Sequence, residues 1–342
     1  MTRSRFRKMN PRKIVIIGNG KMAVDCAQII LRAIEAGARD WQLAFVAIDS
    51  SRGVSTEALE KFCADTGLPS ACVARINAPD FLERMRALAP DLIFSINNFQ
   101  LIREALLAVP AGGIINFHNA PLPKYAGSNA CTWAIYHGEV THGVSWHYVD
   151  TGIDSGDIVA QSQFEIPGNC TAMRLIMTCL VEGARLFAAT LPAILRGDAP
   201  RLRQDHAARS FFPMREAPNA GRMLLDWDFA TLSRFVRSLH FHPFCNDVAF
   251  PTMGCDGRFF RVDEIALVAP ERRGETGEVL EITDRLCHFQ CGDAVVSLAR
   301  FRDLGGRALK FQNLADAYAV RPGSVLAGVG GKTESLSCSL QS

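Results

Sequence analysis

Residues 14–17, Ile-Val-Ile-Ile, form an uninterrupted apolar run of the kind that fills a strand buried on both faces. Gly18, Asn19 and Gly20 then turn the chain, and Met22, Cys26, Ile29 and Ile30 recur at helical spacing. The same two patterns repeat. Residues 43–48 read as a second strand, 58–66 as a helix stopped at Gly67, 81–88 as a helix ending before Pro90, and 92–96 and 114–117 as further buried strands. Strands alternating with helices predict an α/β fold with a doubly wound, mostly parallel sheet. Ala130, Trp133, Ala134 and Tyr136 share one face of the next helix, and Val144, Trp146 and Tyr148 alternate with Ser145, His147 and Val149 in a half-buried strand. A strand over 158–164 and a long helical region over 170–195 complete this half.

The pattern then changes. Residues 196–209 are polar and rich in arginine, which marks a domain boundary, and 210–226, with Pro213, Pro218 and Gly221, reads as a linker able to fold over a cleft. Leu232, Phe235, Val236 and Leu239 fall on one face of a helix that Pro243 stops. Short strands over 247–250, 259–267, 277–282, 286–290 and 294–301, separated by turns, predict a small OB-like β-barrel. The expected organisation is a disordered basic tail (1–10), a catalytic domain (11–205), a linker (206–226), a helix with its barrel (227–322) and a flexible Gly/Ser-rich tail (323–342).

Composition narrows the classes. A chain of 342 residues with a net charge of +2 suits a two-domain protein without a global field for a polyanionic partner. Arg3, Arg5, Arg7, Lys8, Arg12 and Lys13 crowd the start, but the short apolar run after them is no signal peptide. Eleven cysteines without a Cys-x-x-Cys pair predict no disulfide framework and a cytoplasmic setting. Cys287 and Cys291 flank His288 but lie in an alternating strand, where packing is the simpler expectation than a metal clip. No apolar run approaches the length needed to span a bilayer, so no membrane partner is expected.

The candidate chemistry lies between residues 113 and 157. Asn116 and His118 interrupt a buried strand with polar groups that need partners, and the loop Asp-Thr-Gly-Ile-Asp-Ser-Gly-Asp at 150–157 holds Asp150, Asp154 and Asp157. Such a loop also suits a plain solvated turn. His118, His147 and Asp154 allow a two-histidine, one-carboxylate metal site, although this leaves Asn116 unexplained. Gly18, Gly20 and Ala23 form a weak Gly-x-Gly-x-x-Ala dinucleotide signal with only Asp49 as a loose acidic partner. His137 and His142 are expected in surface loops, and Phe99, Leu101 and Ile102 suit ordinary core packing as well as a binding role.

The order Asn116-x-His118, then Leu122-Pro123 with Gly127 four residues on, then His147-x-x-Asp150-x-x-x-Asp154-x-Gly156-Asp157, resembles the formyltransferase family that uses 10-formyltetrahydrofolate. Glycinamide ribonucleotide, methionyl-tRNA and sugar N-formyltransferases belong to that family. The resemblance extends over about residues 12 to 310. It implies Asn116, His118 and Asp154 as the catalytic trio, and 10-formyltetrahydrofolate as co-substrate, held near Phe99, Gln100, Ile102, Val149 and Asp150. It also implies a substrate-side role for Gly18, Gly20, Lys21, Tyr125 and His147, with no metal. The chemistry fits those residue types. An amide N–H and an imidazolium suit the oxyanion formed when an amine attacks a formyl carbon, and a carboxylate keeps the histidine protonated.

The stretch Lys-Tyr-Ala-Gly-Ser-Asn-Ala-Cys-Thr-Trp at 124–133 looks more like formyltransferases acting on small amines, amino sugars or carrier-bound aminoacyl groups than like the tRNA enzymes. The acidic residues spread through 247–284 also disfavour tRNA. A methionyl-tRNA formyltransferase, a 10-formyltetrahydrofolate hydrolase and a folate-sensing module without turnover remain the alternatives, and a homodimer is compatible with the pattern.

Overall fold

The computed structural model describes residues 11–52, 54–242 and 248–328. The expected basic tail and the Pro243 helix stop lie outside the described residues. The chain packs as two compact units that are not consecutive stretches. One comprises the chain up to Ala126, Gly143–Phe164 and Thr178–Phe211; the other comprises Gly127–His142, Glu165–Met177 and the chain from Phe212.

In chain order, the first half runs β1 (Arg12–Gly18), α1 (Gly20–Glu35), β2 (Trp41–Asp49), α2 (Glu57–Thr66), β3 (Ser70–Val73), α3 (Pro79–Leu88), β4 (Leu92–Ile96), α4 (Glu104–Leu107) and β5 (Ile114–His118). Then follow β6 (Ala126–Gly127), α5 (Ala130–His137), β7 (Thr141–Tyr148), β8 (Ile158–Glu165) and α6 (Ala172–Arg196). Seven of the strands form one sheet in the order β3-β2-β1-β4-β5-β7-β8. The pairs from β3 through β5 are parallel and β5–β7 is antiparallel, so the expected mostly parallel α/β sheet is present. β3 and α4 are too short and too exposed to announce themselves by period.

Both faces of this sheet are covered, which is why its strands read as continuous apolar runs. On one face Val15, Ile17, Phe45, Ile93 and Ile114 pack with Phe81 and Met85 of α3. On the other, Phe94, Trp146 and Phe187 meet edge-on or tilted, at centroid distances of 4.8–6.4 Å. Helix α6 corrects one expectation: by length and composition alone it is long and apolar enough to cross a membrane. Its stripe is spent on the sheet instead. Trp146 Nε1 donates to the Gly183 carbonyl at 2.9 Å, and Phe187 is fully buried. Gly18 has a packing reason of its own, since a Cβ there would lie 1.9 Å from the Ile96 carbonyl oxygen of the neighbouring strand.

The second half contains β9 (Phe211–Phe212), which pairs with β6, then α7 (Phe229–Ser238), β10 (Thr252–Cys255), β11 (Arg258–Ala269), β12 (Val279–Ile282), β13 (Cys287–Gln290), β14 (Val295–Arg302), α8 (Phe311–Ala317) and β15 (Ala327–Gly328). Six strands in the order β12-β13-β14-β11-β10-β15 make a curled antiparallel sheet, the half-barrel form of the expected OB-like domain. Leu232, Phe235 and Val236 of α7 join Phe260, Val279, Cys287, Phe289 and Val296 in its core. Cys287 and Cys291 are thus core residues, while His288 faces Glu281 at 3.4 Å.

Three boundaries differ from the pattern. α7 ends at Ser238, well before Pro243. Residues 248–250 are not a strand; the ladder opens at Thr252, where register with β11 begins. Residues 323–328, read as part of a loose tail, instead bury Leu326 and form β15 against Met253 and Gly254.

Candidate active site

β5 carries Asn116 and His118 to the carboxyl end of the sheet, and its antiparallel register with β7 sets Asn116 opposite His147 and His118 opposite Ser145. The loop after β7 returns Asp154 to the same place. Its Oδ2 lies 3.6 Å from His118 Nδ1 and its Oδ1 lies 3.4 Å from His147 Nε2, so one carboxylate stands between two buried imidazoles. These separations are ion-pair distances rather than formed hydrogen bonds.

A backbone carbonyl fixes one proton on each ring. His118 Nε2 faces the Tyr125 carbonyl at 2.8 Å, and a carbonyl only accepts, so Nε2 is protonated. Nδ1 then faces a carboxylate, an arrangement that favours the imidazolium. His147 Nδ1 likewise donates to the Tyr148 carbonyl at 2.8 Å. Its Nε2 sits 3.1 Å from Asn116 Nδ2 and 3.4 Å from Asp154 Oδ1, so amide, imidazole and carboxylate meet at one point.

The loop around Phe99 and Gln100 is held by a carboxylate that the sequence offered only as a weak nucleotide ligand. Asp49 is buried at the end of β2, and it accepts from Ser51 N–H (2.9 Å), Phe99 N–H (2.9 Å) and Gln100 Nε2 (2.8 Å). Gln100 is committed further: its Oε1 accepts from Ile76 N–H, and its backbone N–H and carbonyl are both met by the Asn98 side chain. Ile102 belongs to the core, with Val149 packed against that cluster. Asp150 is exposed and caps its own loop, accepting from Gly152 N–H (3.0 Å) and Ser155 Oγ (2.7 Å).

The remaining candidates scatter. Tyr125 is buried at φ +59°, contributing its carbonyl to His118. Gly20 opens α1 beneath the Asn19 cap. Lys21 is exposed on α1 and pairs with Asp25 at 2.6 Å. His137 is exposed as expected, but His142 is not a surface residue: it lies within β7, almost fully buried, because the strand begins earlier than its alternation suggests. Sequence reasoning missed Gln204 and Arg209, which come from a stretch read as a polar boundary. Gln204 Nε2 donates to the carbonyls of Asp154 (2.9 Å) and Gly156 (2.7 Å), and Arg209 Nη2 donates to that of Ile153 (2.6 Å).

Comparison with known proteins agrees with this architecture. The family model described as Formyl transferase matches residues 12–190. The chain is 27% identical over 262 residues, 76% of its length and 80% of the relative's, to a methionyl-tRNA formyltransferase of Geotalea uraniireducens (strain Rf4). Among solved structures it shares the fold of an N-formyltransferase from Helicobacter canadensis determined with folinic acid and dTDP-3-aminofucose, at TM-score 0.65 and 20% identity over 85% of this chain and 99% of that one. A 4-N formyltransferase from Francisella tularensis gives TM-score 0.56 and 18% identity over 69% and 90% of the two chains. With a family match over more than half its length, laid on a sheet of this topology, the chain belongs to the formyl transferase family and is a transferase.

Proposed function

We propose that the chain transfers a formyl group from 10-formyltetrahydrofolate to the amine or hydroxylamine of a small acceptor, such as an amino sugar, another small metabolite or a carrier-bound aminoacyl group, with Asn116, His118 and Asp154 as catalytic residues. The observation that carries this is the Asp154 carboxylate set between His118 and His147 beside the Asn116 amide. The donor set fits a formyl group, because an amide donor and an imidazole held beside a carboxylate lie together at the end of β5. The folate would supply an activated formyl group on a nitrogen that can leave.

The chain's own residues then act as follows. As the amine attacks, the carbonyl oxygen of the formyl group becomes negative, and an Asn116 N–H together with the His118 imidazolium stabilise it. Donors of this kind are worth about 3–4 kcal/mol each in comparable sites. Asp154 keeps His118 charged and oriented. To protonate the departing nitrogen as its bond to the formyl carbon breaks, His118 must release either Tyr125 or Asp154, so proton delivery is coupled to a small movement of that ring, and the proton lost by the attacking amine restores the His118 charge. The long contacts of Asp154 suit a site that tightens around its substrate.

In the six-stranded unit, Arg272, Arg273, Arg300, Arg302 and Arg307 pair with Glu275, Glu271, Glu264, Asp263 and Asp303. Arginines neutralised in this way give little hold on a phosphate backbone, which supports a small acceptor over tRNA. Initiator methionyl-tRNA is the second acceptor to test, because the relatives found by sequence are methionyl-tRNA formyltransferases.

The test follows the absorbance of 10-formyltetrahydrofolate incubated with the chain and a panel of amino sugars, small amines, aminoacyl carriers and methionyl-tRNA. Loss of the formyl group that depends on a small or carrier-bound amine is the expected result. Turnover with methionyl-tRNA alone would replace the acceptor, and loss without any amine would make the enzyme a hydrolase.

A further inference from the structure

The stretch from Leu202 to Ser210, which the sequence offers only as a polar boundary, lies against the loop that carries Asp154. Leu202 and Ile158 exchange both backbone hydrogen bonds, at 2.8 and 2.9 Å, which anchors one end of this strap beside β8. At the other end Ser210 accepts twice from the turn after β5: its Oγ from Tyr125 N–H (2.8 Å) and its carbonyl from Ala126 N–H (2.9 Å). Between these anchors stand Gln204 and Arg209. The strap therefore touches both the loop that holds Asp154 and the residue whose carbonyl holds His118.

The loop needs such a contact. Asp154 adopts φ +51°, a left-handed conformation that costs a non-glycine residue free energy and persists only where its surroundings impose it. Within the loop, Asp150 accepts from Gly152 N–H and Ser155 Oγ. Gln204 adds a hydrogen bond to the Asp154 carbonyl from outside the loop. Its amide orientation follows from its partners, since two carbonyls can only be met by the –NH2 end. The consequence is a buried Oε1 without a hydrogen-bond partner among the described residues. Leaving an acceptor unmet is unfavourable, so the two donated bonds are what this residue supplies.

We propose that Gln204 is a positioning residue for formyl transfer: by clamping the Asp154 and Gly156 carbonyls it holds the Asp154 carboxylate against His118. This rests on the assignment of Asp154 and His118 given above. The titratable groups that face His118 include Asp154 and, on the far side of the same carboxylate, His147. Once the clamp is removed, the loop relaxes, Asp154 withdraws, and the imidazolium of His118 loses its partner.

The experiment is an NMR titration of the His118 ring in the full-length chain, needing no acceptor, on wild type, Gln204→Met, Asp154→Asn and the double variant, each with a thermal melt. Asp154→Asn is expected to weaken proton binding at His118 by about tenfold. Gln204→Met should move it in the same direction, and the double variant should titrate no lower than Asp154→Asn alone, because Gln204 acts only through Asp154. Should Gln204→Met fold poorly, Arg209→Met removes the neighbouring clamp on Ile153 and should produce a smaller shift of the same sign. A folded Gln204→Met or Arg209→Met that titrates as wild type while Asp154→Asn shifts, or effects that add in the double variant, would overturn the positioning role and leave the catalytic assignment standing. If Asp154→Asn itself leaves His118 unmoved, the coupling between that pair is wrong and both assignments fall together.

Discussion

Asp154 stands in a left-handed backbone conformation with its two oxygens turned to two different histidines. A side chain so placed is sensitive to charge more than to size. Asp154→Asn keeps the shape and hydrogen-bonding reach but removes the charge that favours the His118 imidazolium, so turnover of 10-formyltetrahydrofolate should fall by about 10²- to 10⁴-fold, in the range of a lost general acid. A circular dichroism melt should be close to wild type. Wild-type turnover in that variant would remove Asp154 from the mechanism. At the same scale Asp49 shows how a residue type is misread from spacing alone. An acid some thirty residues past a glycine-rich turn invites a ribose, yet its oxygens are already taken by Ser51, Phe99 and Gln100. It organises the loop beside the site instead.

Among the elements, α7 shows how local sequence sets an end and packing supplies the rest. Asp228 caps it, accepting from Thr231 N–H at 2.6 Å, and this backbone bond holds its carboxyl below the ordinary carboxylate range. A depressed folded value stabilises the fold above the unfolded value and is lost as pH falls through the folded one. Asp228→Ala should therefore lower the stability of the second unit by about 1 kcal/mol at neutral pH. The gap from wild type should begin to narrow near pH 4, where the unfolded carboxyl protonates, and close only below the depressed folded value. Thermal melts at pH 7 and pH 3 would check both halves of this, and a gap that widens in acid would contradict the cap. Helix α6 makes the complementary point. Its apolar content suits a bilayer by composition, but Phe187 and Gly183 are committed to Trp146, Phe94 and Phe117 of the sheet, the last lying where a Cβ on Gly183 would be 2.2 Å away.

For the whole molecule the question is what the first unit needs from outside itself. The catalytic candidates Asn116, His118 and Asp154 all belong to that unit, as do His147, Gln204 and Arg209. Formyl transfer through an amide, an imidazolium and a carboxylate requires no Lewis acid, so incubation with a strong chelator followed by desalting should leave turnover unchanged. Activity that is lost on chelation and restored by a divalent cation would instead favour the two-histidine, one-carboxylate site. The second unit has its own core, built on Phe235, Phe260 and Phe289, and arginines paired with carboxylates on its surface.

Element type was legible from residue order because period is a local property. The run Ile-Val-Ile-Ile at 14–17 and the largely apolar Leu-Ile-Phe-Ser-Ile at 92–96 read as strands buried on both faces, the stripe at Leu232, Phe235 and Val236 read as a helix, and both kinds of element are present. Asn116 and His118 stood out for a related reason, since polar groups inside a buried strand require partners. Identifying those partners was beyond periodicity. Asp49 reaches Phe99 across 50 residues, Gln204 reaches Asp154 across 50, and Tyr125 meets Ser210 across 85. Nothing in a window of ten or fifteen residues records such distances, because they arise only when strands take their register and loops close over their ends. The chain's order of residues thus determined which groups could do chemistry, while folding determined which carbonyl, carboxylate or amide each of them would meet.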